Sequence, residues 1–90
     1  MESRVAVISI ILENSDSVEE VNRLLSKCSG YIVGRMGIPY KQRGISVISV
    51  VIDSPQDVIS TLSGKLGKLK GVSTKTAYSK YIFKDNNQKI

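Results

Sequence analysis

Histidine is absent from this chain, cysteine occurs once at Cys28, and the aromatic residues are four tyrosines and one phenylalanine, with no tryptophan. Each shortage excludes a class of chemistry. Zinc, nickel and copper sites draw on imidazole and thiolate ligands, so a single copy cannot assemble such a metal site. Serine–histidine and cysteine–histidine nucleophilic centres fail for the same reason. A lone cysteine forms no internal disulfide, which predicts a reducing, cytoplasmic setting. The eight carboxylates fall mostly at helix starts, where local structure explains them, so no catalytic residue is assigned and an enzyme is not expected. Nothing calls for a cofactor. No apolar run approaches the roughly 20 residues that span a bilayer, so no membrane partner is expected. Met1-Glu2-Ser3-Arg4 leads straight into a strand without the pattern of a signal peptide.

What the chain does have is aliphatic strand on both faces. In Val5 to Leu12 one alternating set is Ala6, Ile8, Ile10 and Leu12, and the other is Val5, Val7, Ser9 and Ile11. The run Ile45 to Ile52 behaves alike. A strand with one wet face alternates apolar and polar, so these two must be covered twice. Ninety residues supply too few helices for that. The second cover is expected to be another copy of the chain, giving a homodimer or tetramer.

Two helices separate the strands. Ser17 with Glu20 fits a capping box, and Asp16 with Glu19 is an equal register. Val18, Val21, Leu25 and Cys28 then recur at helical spacing, widened by Leu24, and place Cys28 in the core. Ser29-Gly30 ends the helix. A second strand, Tyr31 to about Ile38, is broken by Gly34 and Gly37, which suggests a bulge. Pro39 to Gly44 reads as a hairpin loop before the third strand. Ser54-Pro55-Gln56-Asp57 opens a second helix with an N-cap serine and proline at its first position. Its buried face is Val58, Ile59, Leu62, Leu66 and Leu69, while Ser60, Ser63, Gly64 and Gly67 suit close packing against another helix. Val72 to about Tyr81 is the fourth strand. The order β-α-β-β-α-β predicts an α+β, ferredoxin-like domain over residues 1–81, with two helices on one face of a four-stranded antiparallel sheet. Residues 82–90 read as a loose tail.

Charge is lopsided. Residues 1–62 carry six Lys and Arg against seven Asp and Glu, whereas residues 63–90 carry seven Lys against Asp85 alone. A solvated fringe explains this, and long-range attraction of an anionic polymer is the other reading. RNA stacking on the sheet is not expected, because the first and third strands hold no aromatic residue. Ser63-Gly64-Lys65-Leu66-Gly67 lies within a helix and not between a strand and a helix start, so it is no phosphate loop.

The segments Tyr31 to Tyr40, Gly44 to Val50 and Pro55 to Gly67, with Gly71-Val72 and Lys75 to Ser79, closely resemble small proteins labelled iron-only hydrogenase system regulators. That family is described as ACT-like and similar to the C-terminal domain of the nickel-responsive regulator. The resemblance spans roughly Arg4 to Ser79 and implies an oligomeric, ligand-responsive domain that takes small molecules at subunit interfaces near the first strand–helix loop. The nickel-binding histidines have no counterpart here. Only three residues precede the first strand, so no autonomous DNA-binding module is expected.

The candidate ligand site is Gly34, Arg35, Met36 and Gly37 with Tyr40. An arginine between glycines can offer its guanidinium to a carboxylate or phosphate; an ion pair between subunits, with a bulge at the sheet edge, explains the same residues. By analogy the loop Asn14, Ser15 and Asp16 joins the site, although helix capping also accounts for it. Tyr31 and Tyr78 read as packing residues. The expected function is regulatory, through a small-molecule effector bound between subunits. The alternative is a ligand-free oligomeric adaptor for a maturation or regulatory partner.

Overall fold

The computed structural model describes residues 2–84. Strand β1 (Ser3–Leu12) leads to helix α1 (Val18–Lys27), strands β2 (Ile32–Tyr40) and β3 (Ile45–Ser54), helix α2 (Gln56–Gly67) and strand β4 (Val72–Phe83). The sheet order is β2-β3-β1-β4, antiparallel throughout. The doubly apolar strands β1 and β3 are therefore the central pair, and the glycine-broken β2 and the more polar β4 form the edges.

One set of each central strand meets the helices. Ala6, Ile8, Ile10 and Leu12 of β1, with Val50 and Ile52 of β3, are buried against Val21, Leu24 and Leu25 of α1 and Ile59, Leu62 and Leu66 of α2. Each of the valine, leucine and isoleucine side chains among them contributes about 1.5–3 kcal/mol by leaving water. Cys28, Leu69, Val72 and Tyr78 pack at the rim of this core, so Cys28 is only partly buried. Arg4 fastens one end of the domain. Its guanidinium donates to Gln56 Oε1 at 2.9 Å and to the Ser79 carbonyl at 2.6 Å, and lies 4.9 Å from the centre of the Tyr78 ring.

The helix starts differ from the sequence expectation. Ser17 occupies the cap position of α1, but its hydroxyl makes no capping bond. It donates instead to the Lys70 carbonyl at 2.8 Å, tying α1 to the α2–β4 turn. Ser54 ends β3, Pro55 takes the cap position, and the Ser54 hydroxyl donates to the Pro55 carbonyl. A bond to the distant Lys70 carbonyl replaces the local cap at Ser17, and a bond to the adjoining Pro55 carbonyl does so at Ser54. The small residues of α2 also behave otherwise than expected. Ser63 shares a hydrogen bond with Thr76 at 3.2 Å, and Gly67 lies close to Thr74. Ser63 and Gly67 therefore face β4, not a helix, and Ser60 and Gly64 are exposed.

Two ends are longer than the periodicity suggests. Strand β2 continues through Pro39 to Tyr40 and turns in a short 3-10 segment at Lys41–Arg43, closed by Gly44 at φ 67°. Strand β4 continues to Phe83, so Ile82 and Phe83 belong to the sheet; the remainder of the expected tail, residues 85–90, lies outside the described residues. On α1, Arg23 pairs with Glu20 and holds its carboxyl below the ordinary carboxylate range, chiefly through that hydrogen bond. The pair's contribution is present above the usual carboxylate pKa and is lost as pH falls through the lowered value of Glu20.

Ile10 is fully buried between both helices and the sheet. Ile10→Ala should cost about 2–5 kcal/mol by loss of transfer energy and creation of a cavity. Urea denaturation measures this as a lower midpoint with an unchanged slope.

Candidate functional site

The strand register decides where the candidate residues point. Ile32 pairs with Ile52 on the helix side, but a bulge follows, and Gly34 pairs with Val51 on the opposite side. The extra residue inverts the alternation for the rest of β2. Arg35 thus lies opposite buried Val50 and faces α1, whereas Gly34, Met36 and Tyr40, opposite Val51, Ser49 and Ile45, belong to the other face. The Gly34–Gly37 block is therefore split between the two sides of the sheet.

On the helix side a groove of about 260 Å³ runs between α1 and the β2–β3 edge. Its walls include Asn22, Arg35, Gly37 and Ser46, and its apolar lining includes Val18 and Ile48. An adjoining depression of about 350 Å³ reaches the β1–α1 turn, where Asn14, Ser15 and Lys41 line it. The two share Leu12, Val18, Pro39 and Ser46 and form one trough. The Arg35 Nη2 donates to Asn22 Oδ1 at 2.9 Å. That partner is an amide, so the bond orients the guanidinium without neutralising it, and a carboxylate or phosphate could take its place.

Four of the eight predicted residues, Asn14, Ser15, Arg35 and Gly37, are thus brought to the trough. Asp16 turns to Lys70, 3.7 Å from its Nζ, and its backbone N–H donates to Asn14 Oδ1. Asn22, Val18, Lys41 and Ser46 were missed. Spacing offered a signal for one of them: Asn22 stands four residues after Val18 and shares its helix edge. Tyr31, expected to pack, is exposed in this chain, and Tyr78 packs beneath Arg4. The lysines of the last third do not form one strip. Lys65 borders a groove between the helices, Lys70 meets Asp16, and Lys75 pairs in register with Ser9 on the open side of the sheet. Among the described residues no group of three potential ligands could hold a metal ion, and no helix is long and apolar enough to cross a membrane.

Asn14 is also clamped by the next turn. Gly71 has φ 73°, its carbonyl accepts the Glu13 N–H at 2.7 Å, and a Cβ placed on it would lie 2.7 Å from the Asn14 amide. The β1–α1 turn and the α2–β4 turn are built against each other.

This fold and this sequence have matches among known proteins. A family model described as an iron-only hydrogenase system regulator covers residues 4–76. The chain belongs to this TM1266-like family. A solved relative, the uncharacterized protein TM1266 from Thermotoga maritima, is 34% identical, with a TM-score of 0.84 over 87% of this chain and 99% of that one. The resemblance drawn from the Tyr31–Tyr40 block and its companions therefore holds. More distant likenesses include the ACT domain from GTP pyrophosphokinase of Chlorobium tepidum, 20% identical with a TM-score of 0.58 over 97% of this chain and 98% of that one. Another is the apo form of CPII, a nitrogen regulatory PII-like protein from Thiomonas intermedia K12, 11% identical with a TM-score of 0.56 over 93% and 98%. At such identities these two share the ferredoxin-like fold alone. No curated protein matches the chain. Among the described residues, this TM1266-like chain has two helices on one side of its sheet and none on the other.

Gly44 and Gly71 both have positive φ, but a Cβ on Gly44 meets open space. Gly44→Ala should cost about 1 kcal/mol, the left-handed penalty alone. Gly71→Ala should cost more, because the new methyl meets Asn14. Adding Asn14→Ala to Gly71→Ala should recover part of the loss, read as a coupling energy in a double-mutant cycle by thermal or urea unfolding.

Proposed function

We propose that this chain is a cytoplasmic, non-enzymatic regulatory domain that works as a homodimer or tetramer and binds a small effector where subunits meet. The observation that carries the reading is the sheet face turned away from the helices, where Val5, Val7, Ile11, Val47 and Val51 share one side with no helix over them among the described residues. Edge strand β2 adds Met36 and Ile38, 60% and 50% exposed. Aliphatic side chains grouped on one face in this way favour an association site. The family's description as a regulator supports the role.

The trough supports the effector. It combines an apolar floor, an arginine held by a neutral amide, and amide and hydroxyl groups from Asn14, Asn22, Ser15 and Ser46. Such a mixture suits a small anion with an apolar body. Ile38 and Val47 line the trough and also belong to the row of the open face, so the effector would lie across β2 and β3 from any subunit packed there. Regulation then follows if the effector binds the assembled and dissociated forms unequally.

Light scattering at micromolar concentration should report an assembled species; a stable, folded monomer overturns the oligomeric part. A thermal-shift screen of amino acids, nucleotides and carboxylates should find a stabilising compound, since a ligand at a hundred times its Kd adds about 2.7 kcal/mol. Arg35→Ala should abolish that shift while leaving the unliganded Tm within about 4 °C, as expected for an exposed side chain. Assembly without any stabilising compound would leave the ligand-free adaptor.

A further inference from the structure

The open face carries an order of its own. Three rows cross the strands in register. Ile38, Val47 and Ile11 form one row, which ends at Ser73. Met36, Ser49, Ser9 and Lys75 form the next, and Gly34, Val51, Val7 and Ala77 form the third. An aliphatic row thus stands on each side of a row centred on two serines.

We infer that a second copy of this chain packs face to face on this surface, about a two-fold axis that runs parallel to β1 and β3 and passes between them. The inference rests on the oligomeric reading above and specifies its geometry. A two-fold interface must be complementary to itself. Under this axis β3 lies over β1 and β2 lies over β4, so every row falls on its own copy. Val47 meets the partner's Ile11, and Val51 meets the partner's Val7. Ser49 meets the partner's Ser9, and each hydroxyl can both donate and accept. The bulky residues of one edge, Ile38 and Met36, lie over Ser73 and Lys75 of the partner subunit, and the lysine stem can cover Met36 while its ammonium reaches the rim.

The other in-plane axis, across the strands, is disfavoured on charge. It would set β4 on β4 and bring Lys75 toward the partner's Lys75. The size is sufficient. Four strands about 4.8 Å apart and some eight residues long at about 3.3 Å each give about 500 Å² per copy. The pair would bury about 1,000 Å², the lower bound for a specific interface, before the relief of the side chains is counted. Sheets stacked this way lie about 10 Å apart, which aliphatic side chains of this size fill.

The test is a mixing experiment with two single variants, V47E and I11K, followed by sedimentation velocity at micromolar concentration. Each variant alone should lose at least tenfold in self-association, because a charge is driven into the apolar row. In an equimolar mixture Glu at 47 meets Lys at 11 of the other variant, and the opposite contact remains Val47 against Ile11. The assembled species should return. Under the axis across the strands, positions 47 and 11 do not meet between copies, and mixing restores nothing. Variants that stay dissociated when mixed, or that assemble as the unaltered chain does, overturn the proposed packing. In both cases an oligomeric unaltered chain leaves the regulatory reading standing, whereas a monomeric one removes both. Should a charged variant lose its folded circular-dichroism spectrum, an equimolar mixture of V47C and I11C under mild oxidation serves: a disulfide between positions 47 and 11 of unlike copies upholds the packing, and its absence in an assembled mixture overturns it.

Discussion

Everything in this domain depends on a mismatch between its two central strands and its two helices. β1 and β3 are aliphatic on both sides, but α1 and α2 lie on one side only. The covered side closes into a core with Ile8, Ile10, Val50 and Ile52 wholly withdrawn from water. The same pairing of strands then holds Val7, Val47 and Val51 in rows on the opposite side. Packing one face well therefore organises the other. Because the register is fixed by the core, the open rows cannot slide to hide their side chains.

The functional geometry comes from two irregularities laid on that regular sheet. The bulge after Ile32 sends Arg35 toward α1 and Met36 away from it. One short block thereby supplies an arginine to the trough and a thioether to the open face. The second irregularity is the pair of interlocked turns. Ser17 reaches the Lys70 carbonyl, and Asn14 lies against Gly71, so the β1–α1 loop is shaped by a segment more than fifty residues away.

This explains which parts of the molecule were legible in the sequence. The order of elements, the central and edge strands and the family all follow from local patterns, namely period-two aliphatic runs, an apolar helical stripe and the Gly34–Pro39 block. The orientation of the candidate site does not. Whether Arg35 faces a helix depends on the residue at which the bulge falls, and Gly34 and Gly37 signal a bulge without placing it. The serine caps failed for a related reason. A hydroxyl beside a helix start reads as a cap, yet Ser17 finds a distant carbonyl, set by tertiary packing, and Ser54 turns to the adjoining one. Asn22 was overlooked because a polar residue on a helix edge looks like surface until an arginine is found opposite.

The proposed site and association surface lie on opposite sides of the same two strands. Ile38 and Val47 border the trough and also sit in the aliphatic row of the open face. On the proposed reading, a compound that draws Arg35 from Asn22 would act at a strand whose neighbouring side chains would pack between copies. Linkage requires that any preference of the compound for the assembled form be returned as a preference of the assembled form for the compound. A coupling of 1–3 kcal/mol, the usual range, needs no moving helix. A small change in how β2 presents Ile38 to a second copy is enough, because β2 is an edge strand held from one side only and the rigid centre of the sheet is left as it is.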